Sequence, residues 1–186
     1  MSDFRINMVC LIAGTRNTGK TTFVRENVMQ RHPKKILVVD TFDNPVWADV
    51  PTLDSALLPR WQKGTYRYWS SDTGQVMADI ERYVYNALLV FEDATKYVGG
   101  KLTDDVRKFV LDSKQKNLDI LFVFHSLTDI PRDLVRISDT LTLFKTGEQA
   151  TNPLLRTKYP EKVIRAMPLV QEDPNRHIHK TLNIGA

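Results

Sequence analysis

The ten residues from Ala13 to Thr22 constrain the fold of this 186-residue chain more than any other stretch. Gly14 is followed by four residues and then by Gly19, Lys20 and Thr21, which is the spacing of the phosphate-binding loop, or Walker A pattern. Glycines let the backbone curl so that successive N–H groups face an anion, and the positive end of the following helix points at the same place. The stretch therefore predicts a site for the phosphates of a nucleotide.

The flanking sequence has the context that this loop requires. Residues 8–13 are an unbroken apolar run of strand length, and residues 20–30 lack Gly and Pro and place Phe23, Val24 and Val28 on one side. We expect Lys20 to reach the β- and γ-phosphates and Thr21 to place its hydroxyl on Mg²⁺. The predicted nucleotide-binding residues are Gly14, Thr15, Arg16, Asn17, Thr18, Gly19, Lys20, Thr21 and Thr22.

A second apolar run, residues 87–93, ends in the acids Glu92 and Asp93. This is the form of a Walker B element, in which a buried strand holds carboxylates beside the phosphate loop. One acid then supports the Mg²⁺ shell and the other polarises the attacking water. Glu92 and Asp93 are therefore predicted catalytic residues and, together with Thr21, predicted metal ligands. The sequence leaves open which acid has which role.

Another apolar run, residues 119–124, leads into His125 and Ser126. Ligands of parallel α/β sheets bind at the carboxyl ends of the strands, so His125 is placed to contact the γ-phosphate or the attacking water. The alternative is a hydrogen-bonded structural histidine, and Ser126 is a neighbouring candidate for the same contact. With Lys20, Glu92 and Asp93, His125 completes the predicted catalytic set.

Alternating strands and helices predict an α/β fold, a P-loop NTPase three-layer sandwich with a mostly parallel central sheet. The chain length favours one domain over residues 1–186, with a core at about residues 6–146 and a C-terminal extension at 147–186. Further strands are predicted at residues 35–40, 65–69 (a short edge strand), 139–144 and 176–180. Further helices are predicted at residues 74–86, from Thr103 to Asn117, and at 131–137 and 161–167.

Composition excludes little. The formal charge of +4 permits nucleic-acid binding without arguing for it, and the single cysteine, Cys10, rules out an internal disulfide and favours a reducing, cytoplasmic compartment. No stretch approaches the ~18 consecutive apolar residues of a membrane span, so we expect no membrane insertion. His177 and His179 lack a Cys or acidic partner at metal-ligand spacing and are not predicted to bind a metal.

In order and spacing the motifs resemble the FtsK/HerA superfamily of DNA-pumping ATPases, particularly its small viral genome-packaging ATPases and the Zot-like phage proteins. The similarity covers roughly residues 8–146. Its matching pieces are the loop at 11–22, the strand at 36–40 with its following Asn44-Pro45, the acidic strand at 88–94, the basic segment and strand at 114–126, and Ile137-Ser138-Asp139.

The resemblance implies an ATPase that uses ATP and Mg²⁺ to move DNA through a ring of identical subunits. DNA would be held by its backbone without sequence specificity. A viral capsid or vertex protein is an implied partner, and the host cytoplasm or the virion an implied location. A basic finger from a neighbouring subunit would complete each site, and the candidates are Arg107, Lys114, Lys116, Arg132 and Arg136.

This chain departs from the family pattern at two positions. The family usually ends its third strand with Asp and then Glu, whereas Glu92 precedes Asp93 here, and relatives often have Gln where His125 stands. A small-molecule or nucleotide kinase is the alternative function, with Asp40 and Asp43 as possible acceptor-binding acids, although no arginine-rich lid is evident. A guanine-nucleotide switch ranks last because no Asn-Lys-x-Asp motif is present.

Overall fold

The computed structural model describes residues 7–31, 35–40, 45–149 and 159–185. These residues form a seven-stranded sheet in the order β3-β2-β4-β5-β1-β6-β7, parallel except for the antiparallel pair β6-β7. The strands are β1 (Val9–Ala13), β2 (Lys35–Asp40), β3 (Gly64–Trp69), β4 (Ala87–Phe91), β5 (Leu118–Phe124), β6 (Thr140–Phe144) and β7 (His179–Asn183). The predicted α/β class and mostly parallel sheet are confirmed.

Six α-helices accompany the sheet in the described residues, together with short 3-10 helices at Pro45–Trp47 and Ser55–Arg60. The α-helices are α1 (Lys20–Phe23), α2 (Thr73–Tyr83), α3 (Thr95–Val98), α4 (Asp104–Asp112), α5 (Arg132–Ile137) and α6 (Pro160–Gln171). The helical path of α1 continues through a π-helical turn, Val24–Val28, and a 3-10 turn, Met29–Arg31. Side-chain caps define where two helices begin: Asp72 accepts from Gln75 N at 3.0 Å, and Thr103 accepts from Val106 N at 3.3 Å.

Both faces of the sheet are covered, which explains the continuous apolar runs. In β4, Leu89 and Phe91 pack into one buried cluster while Leu88 and Val90 pack into another. Successive side chains of a strand point to opposite faces, so a strand buried on both sides has no polar position. Each such side chain contributes about 1.5–3 kcal/mol of burial free energy.

The positions of six predicted strands are confirmed to within two residues, while the C-terminal strand and several helix ends differ. The helix predicted up to Asn117 ends at Asp112. Residues 113–117 form turns that lead into β5, in which Leu118 N bonds back to Ser113 O at 2.9 Å and Asn117 has a left-handed φ of 54°. α3 was not predicted. α6 extends beyond the predicted 161–167, and the predicted edge strand at 176–180 forms three residues later as β7.

The strand order brings the functional loops together. β5 lies between β1 and β4, with Ala13 level with Phe124 and Phe91 level with Phe122. The carboxyl ends of these parallel strands therefore meet at one edge of the sheet. The phosphate loop follows β1, the acid pair follows β4, and His125 follows β5.

The C-terminal residues pack against the same region. β7 pairs with β6, and the His179 ring lies 5.0 Å from the ring of Phe144 and 4.6 Å from that of Phe23, between centroids. The backbone of the phosphate loop is fastened to the end of β6, since Thr15 N donates to Lys145 O at 2.9 Å. In the described ranges, no helix has the length and apolar character needed to cross a membrane.

Candidate nucleotide-binding site

A cleft of about 690 Å³ lies at the carboxyl edge of the sheet. It brings together the predicted loop at residues 14–22, the acid pair Glu92 and Asp93, and His125, which come from three separate parts of the sequence. Its walls are formed by Arg16, Asn17, Gly19, Lys20, Thr21, Thr22, Asp40, Val46, Glu92, Asp93, Lys96 and His125.

The phosphate loop has the curled backbone that its sequence predicts. Asn17 and Gly19 have positive φ angles of 61° and 92°, and Thr18 Oγ1 donates to Thr15 O at 2.8 Å inside the turn. Gly14 packs against β6, where an added Cβ would lie 2.5 Å from Phe144 Cβ. Gly14, Thr15 and Thr18 thus shape the loop from behind, while the other predicted binding residues face the cleft.

Lys20 is buried and bonds to its own loop. Its Nζ donates to Gly14 O at 2.6 Å and to Thr15 O at 2.7 Å. Burial lowers the pKa of Lys20 to about 8, the charge of Glu92 opposes this shift, and Arg16 adds to it. The ammonium group is thus held at the point where two chain segments, the loop and β4, approach each other.

Glu92 is buried beside Lys20 and close to Asp40, which is fully buried at the end of β2. Burial, together with the charge of Asp40, raises the pKa of Glu92 to about 7. Lys20, Trp47 and the Thr21 hydroxyl face the carboxylate and oppose that rise. Glu92 Oε1 and Trp47 Nε1 are nevertheless both buried without a hydrogen bond of normal geometry to any described residue.

Asp93 is placed differently from its neighbour. It has a left-handed φ of 48°, accepts from Thr95 Oγ1 at 3.3 Å, and forms an ion pair with Lys96 at 3.2 Å. Its carboxylate remains partly exposed at the cleft. The turn after β4 therefore directs one acid inward, towards Thr21, and leaves the next towards the open cleft.

His125 lines the cleft on the β5 side. Partial burial lowers its pKa, Lys20 and Arg16 lower it further, and Asp93 and Asp129 oppose the shift. Its ring is therefore largely neutral near pH 7, with Nδ1 buried and lacking a hydrogen bond to the described residues. Ser126 does not share this position, because its hydroxyl bonds to Glu148.

The donor set suits a magnesium ion. Mg²⁺ prefers hard oxygen ligands and is usually bound through one or two carboxylates together with substrate phosphates. Thr21 and Glu92 supply a hydroxyl and a carboxylate that face each other, and Glu92 Oε1 has no hydrogen-bonding partner among the described residues. No group of three or more His, Cys, Asp or Glu side chains with metal-binding geometry occurs in those residues.

Four residues in or beside the cleft lie outside the predicted site: Asp40, Val46 and Lys96 line it, and Trp47 lies against Glu92. Asp40 had been considered only as a kinase acceptor acid, but it is fully buried next to Glu92; Asp43 lies outside the described residues. Lys96 could have been found from its place three residues after Asp93. Trp47 carries no sequence signal, since it reaches Glu92 through a segment held by Arg25, whose guanidinium lies 5.2 Å from the indole ring centre.

The basic finger candidates lie at different ends of the sheet. Lys114 and Lys116 precede β5, at the edge opposite the cleft, and Lys116 Nζ donates to Glu81 O. Arg132 is exposed and begins α5, soon after the His125 loop, and Arg136 lies one turn later in an ion pair with Asp133. Arg107 is exposed in the first turn of α4.

No protein-family model matches the chain, and a comparison with curated proteins finds no relative. Solved structures do match. The genome packaging NTPase of Sulfolobus turreted icosahedral virus 2, in complex with ATP-gammaS, has a TM-score of 0.73 at 10% identity, covering 96% of this chain and 93% of that one.

Two further structures are similar. The DNA-packaging ATPase of Sulfolobus turreted icosahedral virus has a TM-score of 0.73 at 11% identity over 97% of this chain and 94% of its own. The N-terminal domain of zonular occludens toxin from Neisseria meningitidis has a TM-score of 0.50 at 9% identity over 75% and 78%. At these identities the likeness concerns the fold: this chain has the P-loop NTPase fold of the matched structures.

Proposed function

We propose that this protein is an ATPase that uses hydrolysis to move DNA through a ring of identical subunits, as in packaging a viral genome. One observation carries the proposal: Lys20, Glu92, Asp93 and His125 line a single cleft in front of a curled phosphate loop. These are the groups needed to bind a nucleoside triphosphate and to direct a water molecule at its terminal phosphate.

Each residue has a distinct part in the proposed reaction. The loop amides and Lys20 bind the β- and γ-phosphates, with Lys20 exchanging the carbonyls of Gly14 and Thr15 for phosphate oxygens. Thr21 and the inward-facing Glu92 would hold Mg²⁺. The cation supplies charge neutralisation on the phosphate oxygens when bound.

The water is activated on the other side of the cleft. Asp93 is partly exposed and lies near His125, so it accepts the proton of the attacking water while His125 orients that water or the γ-phosphate. Glu92 therefore acts on the metal side and Asp93 on the water side, which is a specific choice between the two roles that the sequence left open.

The DNA-moving part of the proposal rests on fold likeness and on the order of motifs. Two matched viral proteins are named for genome or DNA packaging. We expect subunits of this chain to form a ring whose pore holds the DNA backbone through Lys and Arg, and to dock on a capsid or vertex protein. Such binding is independent of sequence and weakens steeply with salt.

A neighbouring subunit would complete each site with a cation. Arg132 is the best placed candidate, because it is exposed at the start of the helix that follows the His125 loop, on the cleft side of the sheet. An arginine finger stabilises charge developing on the γ-phosphate and contributes about 10³–10⁵ in rate in known systems.

The test is the ATPase rate of the purified protein with and without DNA, measured alongside its mass by light scattering. We expect Mg²⁺-dependent ATP hydrolysis that rises with DNA and is accompanied by a ring-sized assembly. Phosphate transfer to a nucleoside or sugar by a DNA-indifferent monomer would overturn the proposal in favour of a kinase.

A further inference from the structure

Glu148, which lies just after β6, is hydrogen-bonded to the loop that follows His125. Its carboxylate accepts hydrogen bonds from Leu127 N at 3.1 Å, Thr128 N at 3.1 Å and Thr128 Oγ1 at 3.1 Å, and also from the hydroxyl of Ser126. One side chain thus satisfies donors from three successive residues of a segment more than 18 positions away in sequence. These charge-assisted bonds outweigh the burial of the carboxylate and keep the pKa of Glu148 below its usual value.

The backbone of Glu148 is held from a different direction. Gln171, the last residue of α6, donates from Nε2 to Glu148 O at 2.6 Å. The neighbouring Lys145 carbonyl accepts from Thr15 N of the phosphate loop at 2.9 Å, and the Lys145 ammonium bonds to Asp173 O just beyond α6. The segment after β6 is therefore connected to the phosphate loop, to the His125 loop and to the C-terminal helix.

We propose that Glu148 is a positioning residue for the nucleotide site, which holds the loop 126–128 so that His125 at the carboxyl end of β5 faces the cleft. His125 needs such support, because its Nδ1 is buried without a hydrogen bond to the described residues and its ring orientation depends on the backbone that follows β5. The inference rests on the proposed role of His125 in hydrolysis. Because Glu148 belongs to the C-terminal extension, residues 147–186, that extension would then contribute to the reaction.

The chemistry of the pair predicts how a substitution acts. A carboxylate has two acceptor oxygens, whereas glutamine keeps one and presents an NH₂ group that faces other N–H donors. Glu148→Gln therefore preserves the size of the side chain but removes some of its hydrogen bonds to residues 126–128. A displacement of ~1 Å at a reacting group can cost on the order of 100-fold in rate, while nucleotide binding by Lys20 and the loop is left intact.

The experiment compares wild type, Glu148→Gln and the control Glu172→Gln, which changes an exposed carboxylate next to Gln171 at the end of α6. Three quantities are measured at one fixed pH: the affinity for a non-hydrolysable ATP analogue, the kcat for ATP, and the imidazole ¹H–¹⁵N signals of His125, assigned with His125→Gln. We expect Glu148→Gln to keep the affinity within about twofold, to lower kcat about 10- to 100-fold, and to move or broaden the His125 signals. Glu172→Gln is expected to change none of the three.

Unchanged His125 signals with unchanged kcat in a folded Glu148→Gln protein would overturn the proposal. So would a loss of nucleotide affinity as large as the loss of kcat, since that indicates general damage to the site. If Glu148→Gln does not fold, Thr128→Val removes one donor to the same carboxylate and is expected to give the same changes on a smaller scale. If the wild-type protein does not hydrolyse ATP, the proposed function fails, while the His125 signals still decide whether Glu148 positions the ring.

Discussion

The ammonium nitrogen of Lys20 lies 2.6 Å from the carbonyl oxygen of Gly14, so the lysine of the phosphate loop bonds back to the first glycine of that loop. A second bond to Thr15 O keeps the charge satisfied in a buried position. A phosphate group can replace both carbonyls with charged oxygens, which are stronger acceptors.

Lys20→Ala is expected to weaken ATP binding by about 10- to 100-fold or more, because hydrogen bonds to a charged group contribute about 1.5–3 kcal/mol and the ion pair with phosphate adds to them. Calorimetric titration with ATP measures the loss. Lys180→Ala, which removes an exposed lysine on β7, serves as the control and is expected to bind like wild type.

ATP binding in the absence of a metal is expected to weaken as the pH rises above 8. Burial lowers the pKa of Lys20 to about 8, and bound phosphate raises it again. Below that pH the ammonium group is already charged, and above it binding must take up a proton. Titrations in two buffers of different ionisation enthalpy would show this uptake at pH 8 and its absence in Lys20→Ala; equal uptake in both proteins would refute the assignment to Lys20.

Glu92→Gln is expected to abolish hydrolysis and to stabilise the fold more at pH 8 than at pH 5. In the folded protein the pKa of Glu92 is raised to about 7 by burial and Asp40, so the stability this group contributes at low pH is lost as the pH rises through 7. Glutamine carries no charge, so this loss does not occur in Glu92→Gln. The free energy of unfolding of the variant is therefore expected to exceed that of wild type by up to about 3 kcal/mol at pH 8. Urea unfolding at the two pH values measures it, and an equal gain at both would contradict the prediction.

His125→Gln is expected to keep most of the hydrolysis rate, within about tenfold, whereas His125→Ala loses about 10²- to 10⁴-fold. Burial and Lys20 lower the pKa of His125, so at pH 7 the ring acts as a neutral donor and acceptor, as an amide does. Single-turnover ATP hydrolysis separates the two variants. If glutamine is as damaging as alanine, the ring itself transfers a proton, and the orienting role of His125 is excluded.

Gly14→Ala is expected to lower the free energy of unfolding by about 1–3 kcal/mol, because its Cβ would lie 2.5 Å from Cβ of Phe144, the last residue of β6, and 3.1 Å from the carbonyl oxygen of Lys145, the next residue. Gly147→Ala is the matched control, since an added Cβ there meets nothing within 4 Å. Denaturant unfolding of both variants tests the difference, and similar midpoints would contradict the close packing of the loop on β6.

Rings assembled from two different variants are expected to show whether Arg132 is the basic finger that a neighbouring subunit supplies. Arg132→Ala subunits keep a complete loop and acid pair, and Lys20→Ala subunits keep Arg132, so each variant alone is inactive. A 1:1 mixture is expected to recover about a quarter of the wild-type ATPase rate, because a head-to-tail interface can pair the two intact halves. Arg136→Ala, one turn later and paired with Asp133, is the control and is expected to stay active alone; activity of Arg132→Ala alone would exclude Arg132.

The order of elements, and the residues that meet at the cleft, could be predicted because both depend on local patterns. Val9–Ala13 and Ala87–Phe91 are buried on both faces of the sheet, so they appear in the sequence as unbroken apolar runs. The ends of the helices could be predicted from the sequence less accurately than the strands. α4 ends at Asp112, and Asn117 has its left-handed φ in the turns that lead from α4 into β5, so the helix end depends on how the chain enters the sheet.

The sequence by itself determined that a loop with the Walker A spacing, a strand followed by two acids and a strand followed by histidine lie in one α/β chain. Only the tertiary structure decided how these parts meet. Parallel pairing of β5 between β1 and β4 places their carboxyl ends together, and the turn after β4 sends Glu92 inward and Asp93 outward. Contacts such as Glu148 with Leu127, Trp47 with Glu92 and Gly14 with Phe144 join residues far apart in sequence. Their formation depends on packing across the sheet, which leaves no periodic signal in either segment.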